Sequence, residues 1–291
     1  MSILQNAPHL RAVLLLLIAM LSLQSSGSMA KLLFDQFPIL TVSAMRLLLS
    51  ALVLMLIFQL WNIQPKAIRW PAIFSYGAAL AGMNMLFYLA IDRLPLGIAV
   101  SFEFIGPLSV ALFYARHKFD FIWVGLAIVG LVLLFPFDQT AQPLDGLGVL
   151  FALGAGACWA LYIVAGQKPS GVSGNHTVCL GMLVGTLILL PIALWDGLPV
   201  SVFEPGNFIY FIALAVLASA LPFSLEMIAL RNLTALSFGT LMSMEPAIAA
   251  LSGFVFLGEQ LLWNQWLALS TIIAASIGCT YTVQQRKQQS S

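Results

Sequence analysis

Apolar runs of close to 20 residues, parted by short clusters of Pro, Gly, Asn and charge, recur along the chain from about residue 11 to about residue 283. A hydrocarbon layer about 30 Å thick needs roughly 20 apolar residues in a helix, and a helix satisfies its own backbone groups where no water is available. The pattern predicts ten transmembrane helices over about 11–32, 38–60, 70–91, 94–115, 119–137, 145–167, 174–195, 206–229, 233–257 and 263–283. The breaks, at Asn62 to Trp70, Arg116 to Asp120, Gln139 to Gly146, Pro169 to Asn175 and Gly197 to Asn207, are too short for a soluble domain. The first run also has the outline of a secretory leader, with Arg11, then LLLLIAML, then Ser28-Met29-Ala30. It reads better as a retained helix, because Ser22, Ser25, Ser26 and Ser28 give it a polar stripe suited to a pathway.

Composition agrees with the pattern: 61% of the 291 residues are hydrophobic, 8% are charged, and the mean hydropathy is +0.99. A soluble fold needs a wetter surface. The net charge of +1 supplies no field for nucleic acid or another polyanion. Cys158, Cys179 and Cys279 lie in apolar runs without disulfide or metal spacing and read as packing residues. Assigning alternate loops to opposite sides puts Arg11, Lys66, Arg69, Arg116, Lys118, Lys168, Arg231, Arg286 and Lys287 on one side, and only Lys31 and Arg93 on the other. Basic residues stay inside, so both termini are expected in the cytoplasm.

A shift of 139 positions lays Ala90 on Ala229, Leu94 on Leu233, Pro107 on Pro246, Ala111 on Ala250 and Leu112 on Leu251. Ten spans divide into two sets of five, and an odd number of crossings turns the second set upside down. The expected architecture is therefore an all-α polytopic membrane protein of two inverted five-helix repeats, residues 1–142 and 143–291, with a site between them near the midplane. Gly148, Ala152, Gly156 and Ala160 form one stripe of small residues and Gly181 with Gly185 another, as close helix packing requires.

Arg46, Glu103, Glu226 and Glu245 fall inside predicted spans. A charge at the helix centre costs roughly 2.5–3.5 kcal/mol, so each should face protein or a wet cavity. Glu103 and Glu245 lie mid-helix, while Glu226 is near a helix end, where it reads equally as a pathway residue or as one that reaches out to water. Arg46 reads equally as a ligand for substrate and as a fixed ion-pair partner. Pro107 and Pro246 free the carbonyls of Glu103 and Met242, and Pro222 breaks the eighth run one turn before Glu226. These breaks serve either a cradle for an ammonium group or helix packing alone. Asn84 and Tyr88 share a face at i, i+4, Trp159 and Tyr162 lie on the sixth run, and Phe102 adjoins Glu103. Trp61, Trp70, Trp195 and Trp263, at run ends, read as interfacial anchors.

The runs LGIAVSFEFIGPLSVALF (96–113), ALGAGACWALYI (152–163), ALPFSLEMIAL (220–230) and FGTLMSMEPAIAALSG (238–253), with FLGE at 256–259, resemble the amino-acid-exporting members of the EamA-type drug/metabolite transporter superfamily over essentially the whole chain. The resemblance implies a multi-pass inner-membrane protein with a central cavity between inverted halves. It also implies export of threonine, homoserine and similar small neutral amino acids in exchange for protons. In that setting Glu103, helped by Glu245 and freed carbonyls, would hold the ammonium group, and Arg46 or a helix N-terminus the carboxylate. Asn84, Tyr88, Phe102, Trp159 and Tyr162 would complete the lining. Glu103, Glu245 and Glu226 are the candidates for proton coupling, since one arginine cannot balance three carboxylates.

The rival within transport is a broad exporter of amphiphilic drugs or metabolites, favoured by Met83, Met85, Met227, Met242 and Met244, whose side chains repack easily. An enzyme is not expected: His9, His117 and His176 lie at run ends or in loops, and no nucleophile, HExxH or acidic metal motif occurs. Neither a cofactor nor a metal is implied. The partners are substrate, protons and lipid, and the pattern suits a monomer or a homodimer.

Overall fold

The computed structural model describes residues 10–23, 26, 33, 36–94, 96–134, 145–242, 244–245, 247–248 and 263–289, and every long regular element among them is helical. In chain order these are α1 (Leu10–Leu23), α2 (Ile39–Ile57), α3 (Trp70–Ile91), α4 (Leu96–Glu103), α5 (Ile105–Tyr114), α6 (Lys118–Leu134), α7 (Gly146–Gln167), α8 (Gly174–Trp195), α9 (Pro205–Ala215), α10 (Leu221–Asn232), α11 (Ala235–Met242) and α12 (Trp263–Gln289). Helix starts follow local chemistry. Asp145 caps α7 by accepting the Leu147 N–H at 2.9 Å, and Ser173 caps α8 by accepting that of His176. Prolines in the first turns of α3 and α9 lack an N–H that would have no helical partner there.

Among the described residues, six helical segments are long and apolar enough to cross a membrane: Ile39–Ile57, Trp70–Ile91, Gly146–Gln167, Gly174–Trp195, Pro205–Asn232 and Trp266–Val283. Their outer faces carry large apolar side chains such as Leu56, Leu150 and Leu187, as helices in lipid do. Trp61, Trp70, Trp195 and Trp263 are exposed at helix ends, where interfacial anchors belong. The chain is an all-helical, polytopic membrane protein.

The interior forms where early helices pack on later ones. α3 is wedged between α7 and α8, α2 packs on α8 and α9, α5 on α7 and α11, and α6 on α12. The approach between α5 and α7 is close enough that a Cβ on Gly106 would collide with the Gly156 backbone. Cys179 and Cys279 are buried as free thiols and Cys158 is half-buried.

Two predicted spans are not continuous α-helices. The fourth breaks at Phe104, between α4 and α5, three residues before Pro107. The eighth contains a π turn, Val216–Ala220, immediately before the first turn of α10 that holds Pro222. A π turn leaves backbone carbonyls without their usual partners. Serines from the first part of the chain meet them: Ser50 Oγ donates to the Ala215 carbonyl and Ser22 Oγ to that of Leu217, each at 2.8 Å. Ser22 thus has a packing role. Ser26 bonds its own turn at Leu23, and Ser25 and Ser28 lie outside the described residues.

Candidate functional site

The four ionisable residues singled out within the apolar runs all point inward: Arg46 is 7% exposed, Glu103 6%, Glu226 2% and Glu245 4%. The guanidinium of Arg46, from α2, donates through Nη2 to Oδ1 of Asn84 on α3, and its central carbon lies 5.1 Å from the centre of the Tyr88 ring. Asn84 is fixed in turn, because its Nδ2 donates to the Leu80 carbonyl at 2.7 Å and leaves Oδ1 for the arginine. The Nε–H of Arg46 is buried with no acceptor among the described residues. Glu103 closes α4 and is buried in the same interior.

A second group lies along the same face of α3. Tyr162, on α7, donates its hydroxyl to Oε2 of Glu226 at 3.1 Å. Its ring lies 5.0 Å from that of Tyr76 and 5.8 Å from that of Phe223. Glu226 is therefore an interior residue bonded to a tyrosine, and the alternative of a side chain reaching out to water is set aside. The first turn of α10 starts the helix deep enough to place it there. Glu245, three residues beyond the end of α11, is buried as well. No group of three or more His, Cys, Asp or Glu side chains suited to a metal occurs among the described residues.

Other expected residues divide. Asn84 and Tyr88 meet Arg46 as their shared face predicts. Trp159 packs edge-on against Phe104, with ring centres 5.0 Å apart. Phe102 packs against the cluster of Ala90, Leu94, Ala99 and Ala152. The Glu103 carbonyl freed by Pro107 lies against Gly156, where a Cβ would come within 2.5 Å of it, so this break serves helix packing. Pro246 lies outside the described residues, as does Glu259 of the FLGE run. Met83, Met227 and Met242 are core side chains. Tyr76 was not singled out from the sequence, yet Tyr76, Asn84 and Tyr88 recur at multiples of four on α3, a signal that could have revealed it.

Known proteins carry this arrangement further. Residues 146–281 match the EamA-like transporter family. The threonine/homoserine exporter RhtA of Salmonella typhimurium (strain LT2) is 50% identical, over 95% of this chain and 93% of its own length. RhtA of Escherichia coli (strain K12) is 48% identical, over 98% and 96%. The uncharacterized transporter YwfM of Bacillus subtilis (strain 168) is 26% identical over 96% of each chain. A crystal structure of 18% identity shares the fold, with a TM-score of 0.76 over 94% of this chain and 98% of that one. The relatives are transporters, not enzymes. With about half its residues shared with RhtA along nearly its whole length, the chain belongs to the EamA-like transporter family.

Proposed function

We propose that this protein exports small neutral amino acids, threonine and homoserine among them, across a bacterial inner membrane in exchange for protons. The observation that carries the reading is the burial of Arg46, Glu103, Glu226 and Glu245 together in a mainly apolar interior, in a chain half identical to exporters of that name. A zwitterion in the membrane needs an anion partner and a cation partner, because desolvating either end alone is prohibitive. The unpaired Nε–H of Arg46 serves the carboxylate and Glu103 the ammonium group. In this reading Asn84 and Tyr88, which meet Arg46, share the lining with Trp159 and Tyr162. One guanidinium balances one carboxylate, which leaves the remaining acids, Glu245 and Glu226, to carry the coupling proton.

Ten helices in two inverted halves, residues 1–142 and 143–291, with both termini in the cytoplasm, complete the proposal. The contacts favour such a plan: exchanging each apolar run for the one five places on maps α2 on α8, α5 on α11 and α6 on α12 onto themselves, and α3 on α8 onto α9 on α2. All four ionisable groups are nearly sealed from solvent, so transport requires the halves to rock open to each side in turn.

Reconstitution of the full chain in liposomes, with an imposed pH gradient and a panel of labelled amino acids, tests the reading. Glu103→Gln should insert normally and lose proton-driven threonine and homoserine movement. Full activity of that variant removes Glu103 from the mechanism, and a wild-type protein that moves lipophilic cations but none of the amino acids removes the substrate class.

A further inference from the structure

A recess of about 620 Å³ opens at the end of the molecule where α7 and α10 finish, lined in part by Tyr114, Gln167, Lys168, Leu230, Arg231 and Thr234. Arg231 lines the recess, and its guanidinium is held by three neutral oxygens of the neighbouring 170–177 segment. Nη2 donates to Ser170 Oγ and to Thr177 Oγ1, each at 2.9 Å, and Nη1 donates to the Val172 carbonyl at 3.2 Å. The ion pairs among the described residues are Arg93 with Asp145 and Arg286 with Asp120, so Arg231 is in neither. No acidic side chain lines the recess, and Lys168 adds a second positive charge. A basic residue needed only to orient the chain in the membrane can wave freely in water. A guanidinium fixed at three points by uncharged partners is instead pre-organised, with its full charge left for an anion.

The recess adjoins the buried site. Leu230, in its wall, lies one helical turn from Glu226, and Gly166 provides the space in which Leu230 nests against α7. We infer that the recess is a loading site for the carboxylate of the transported amino acid, held by Arg231 and Lys168 before Leu230 moves and the substrate passes inward. This rests on the amino-acid-export reading and on that end facing the cytoplasm. The two cations raise the local concentration of carboxylate-bearing solutes and disfavour amines that lack one.

The test uses the full chain in phosphatidylcholine liposomes, with labelled threonine supplied to the face that carries Arg231. Lys168→Gln and Arg231→Gln should each raise the threonine KM, the latter about tenfold, and leave the maximal rate near wild type. Arg231→Lys should recover most of the loss. Raised ionic strength should increase KM in the wild type and not in the double Gln variant. Unchanged KM in Lys168→Gln together with a salt-independent wild type overturns the site, and neither result depends on Arg231→Gln folding. An effect that appears only when phosphatidylglycerol is present overturns it in favour of a lipid phosphate. A transport-free measurement separates this inference from the function on which it rests: labelling of Gln167→Cys by a neutral maleimide should be slowed by glycine and not by ethanolamine. Equal labelling with both rejects the loading site even where threonine is transported, and protection by glycine upholds it even where threonine is not.

Discussion

Tyr162 donates its hydroxyl to Glu226 at 3.1 Å, inside a wall made by the rings of Tyr76 and Phe223. A carboxyl so enclosed depends on the donor it has been given, because water cannot replace it. Tyr162→Phe keeps the ring packing and removes only that donor, so it should cost about 1–3 kcal/mol of stability. Tyr162→Ala removes the ring as well and should cost about 3–5 kcal/mol. Thermal unfolding midpoints in detergent check both. Equal midpoints for wild type and Tyr162→Phe would show that Glu226 finds another partner.

Arg46 makes a hydrogen bond to Asn84 while its guanidinium lies over Tyr88, a combination that needs a planar, forked cation. Lysine keeps the charge but cannot reach Asn84, stack on the ring and still offer an outward N–H. Arg46→Lys should therefore weaken threonine binding at least about tenfold, even though charge is conserved. Asn84→Leu, which removes the acceptor and leaves the arginine, should cost about 1.5–3 kcal/mol of stability. Equilibrium threonine binding to purified protein reads the first, and thermal unfolding reads the second.

The membrane class, the interior charges and the Asn84–Tyr88 face were legible because each breaks a local rule. Apolar runs of membrane length exclude a soluble fold, and Arg46 or Glu103 in such a run has no cheap place except the interior. Packing depth is not local, and there the sequence was ambiguous. Glu226 is close to a helix end by count, and only the π turn before Pro222, with Tyr162 reaching across from α7, shows that it is enclosed. Phe102 adjoins Glu103 in sequence, yet neighbours on a helix point about 100° apart, which carries Phe102 to the cluster of Ala90, Leu94, Ala99 and Ala152. The pinning of Arg231 by Ser170 and Thr177 joins segments more than 50 residues apart in the chain, and no pattern of spacing encodes it.

The seam between α5 and α7 should be the least tolerant part of the interior. A Cβ at Gly106 would run into the backbone of Gly156, and one at Gly156 would meet the backbone of Glu103 at 2.5 Å, so no side chain can swing away to relieve the clash. Gly106→Ala should destabilise by about 1–3 kcal/mol. Gly125→Ala, whose Cβ would meet nothing within 4 Å, should stabilise by about 0.5–1 kcal/mol through backbone entropy. Opposite shifts in the unfolding midpoint are the expected result, and equal shifts would mean that the helices separate easily at this seam.

At the opposite end from the recess, Arg93 Nη1 donates to Asp145 Oδ2 at 3.0 Å, joining the chain that leaves α3 to the start of α7. The hydrogen bond from Arg93, aided by backbone N–H groups at the cap, holds the Asp145 carboxyl below the ordinary carboxylate range. A carboxyl depressed in the folded state stabilises fully above its unfolded value of about 3.9 and loses that contribution as pH falls through the lower folded value. Asp145→Asn should therefore lower the unfolding midpoint near neutral pH, and the gap to wild type should close as pH drops below about 4. Both side chains are exposed, so added salt should narrow the gap at neutral pH too. Midpoints measured across pH at low and high salt read this directly, and a gap that persists in acid would show that the effect of Asp145 does not come from its charge, since Asn keeps the capping acceptor.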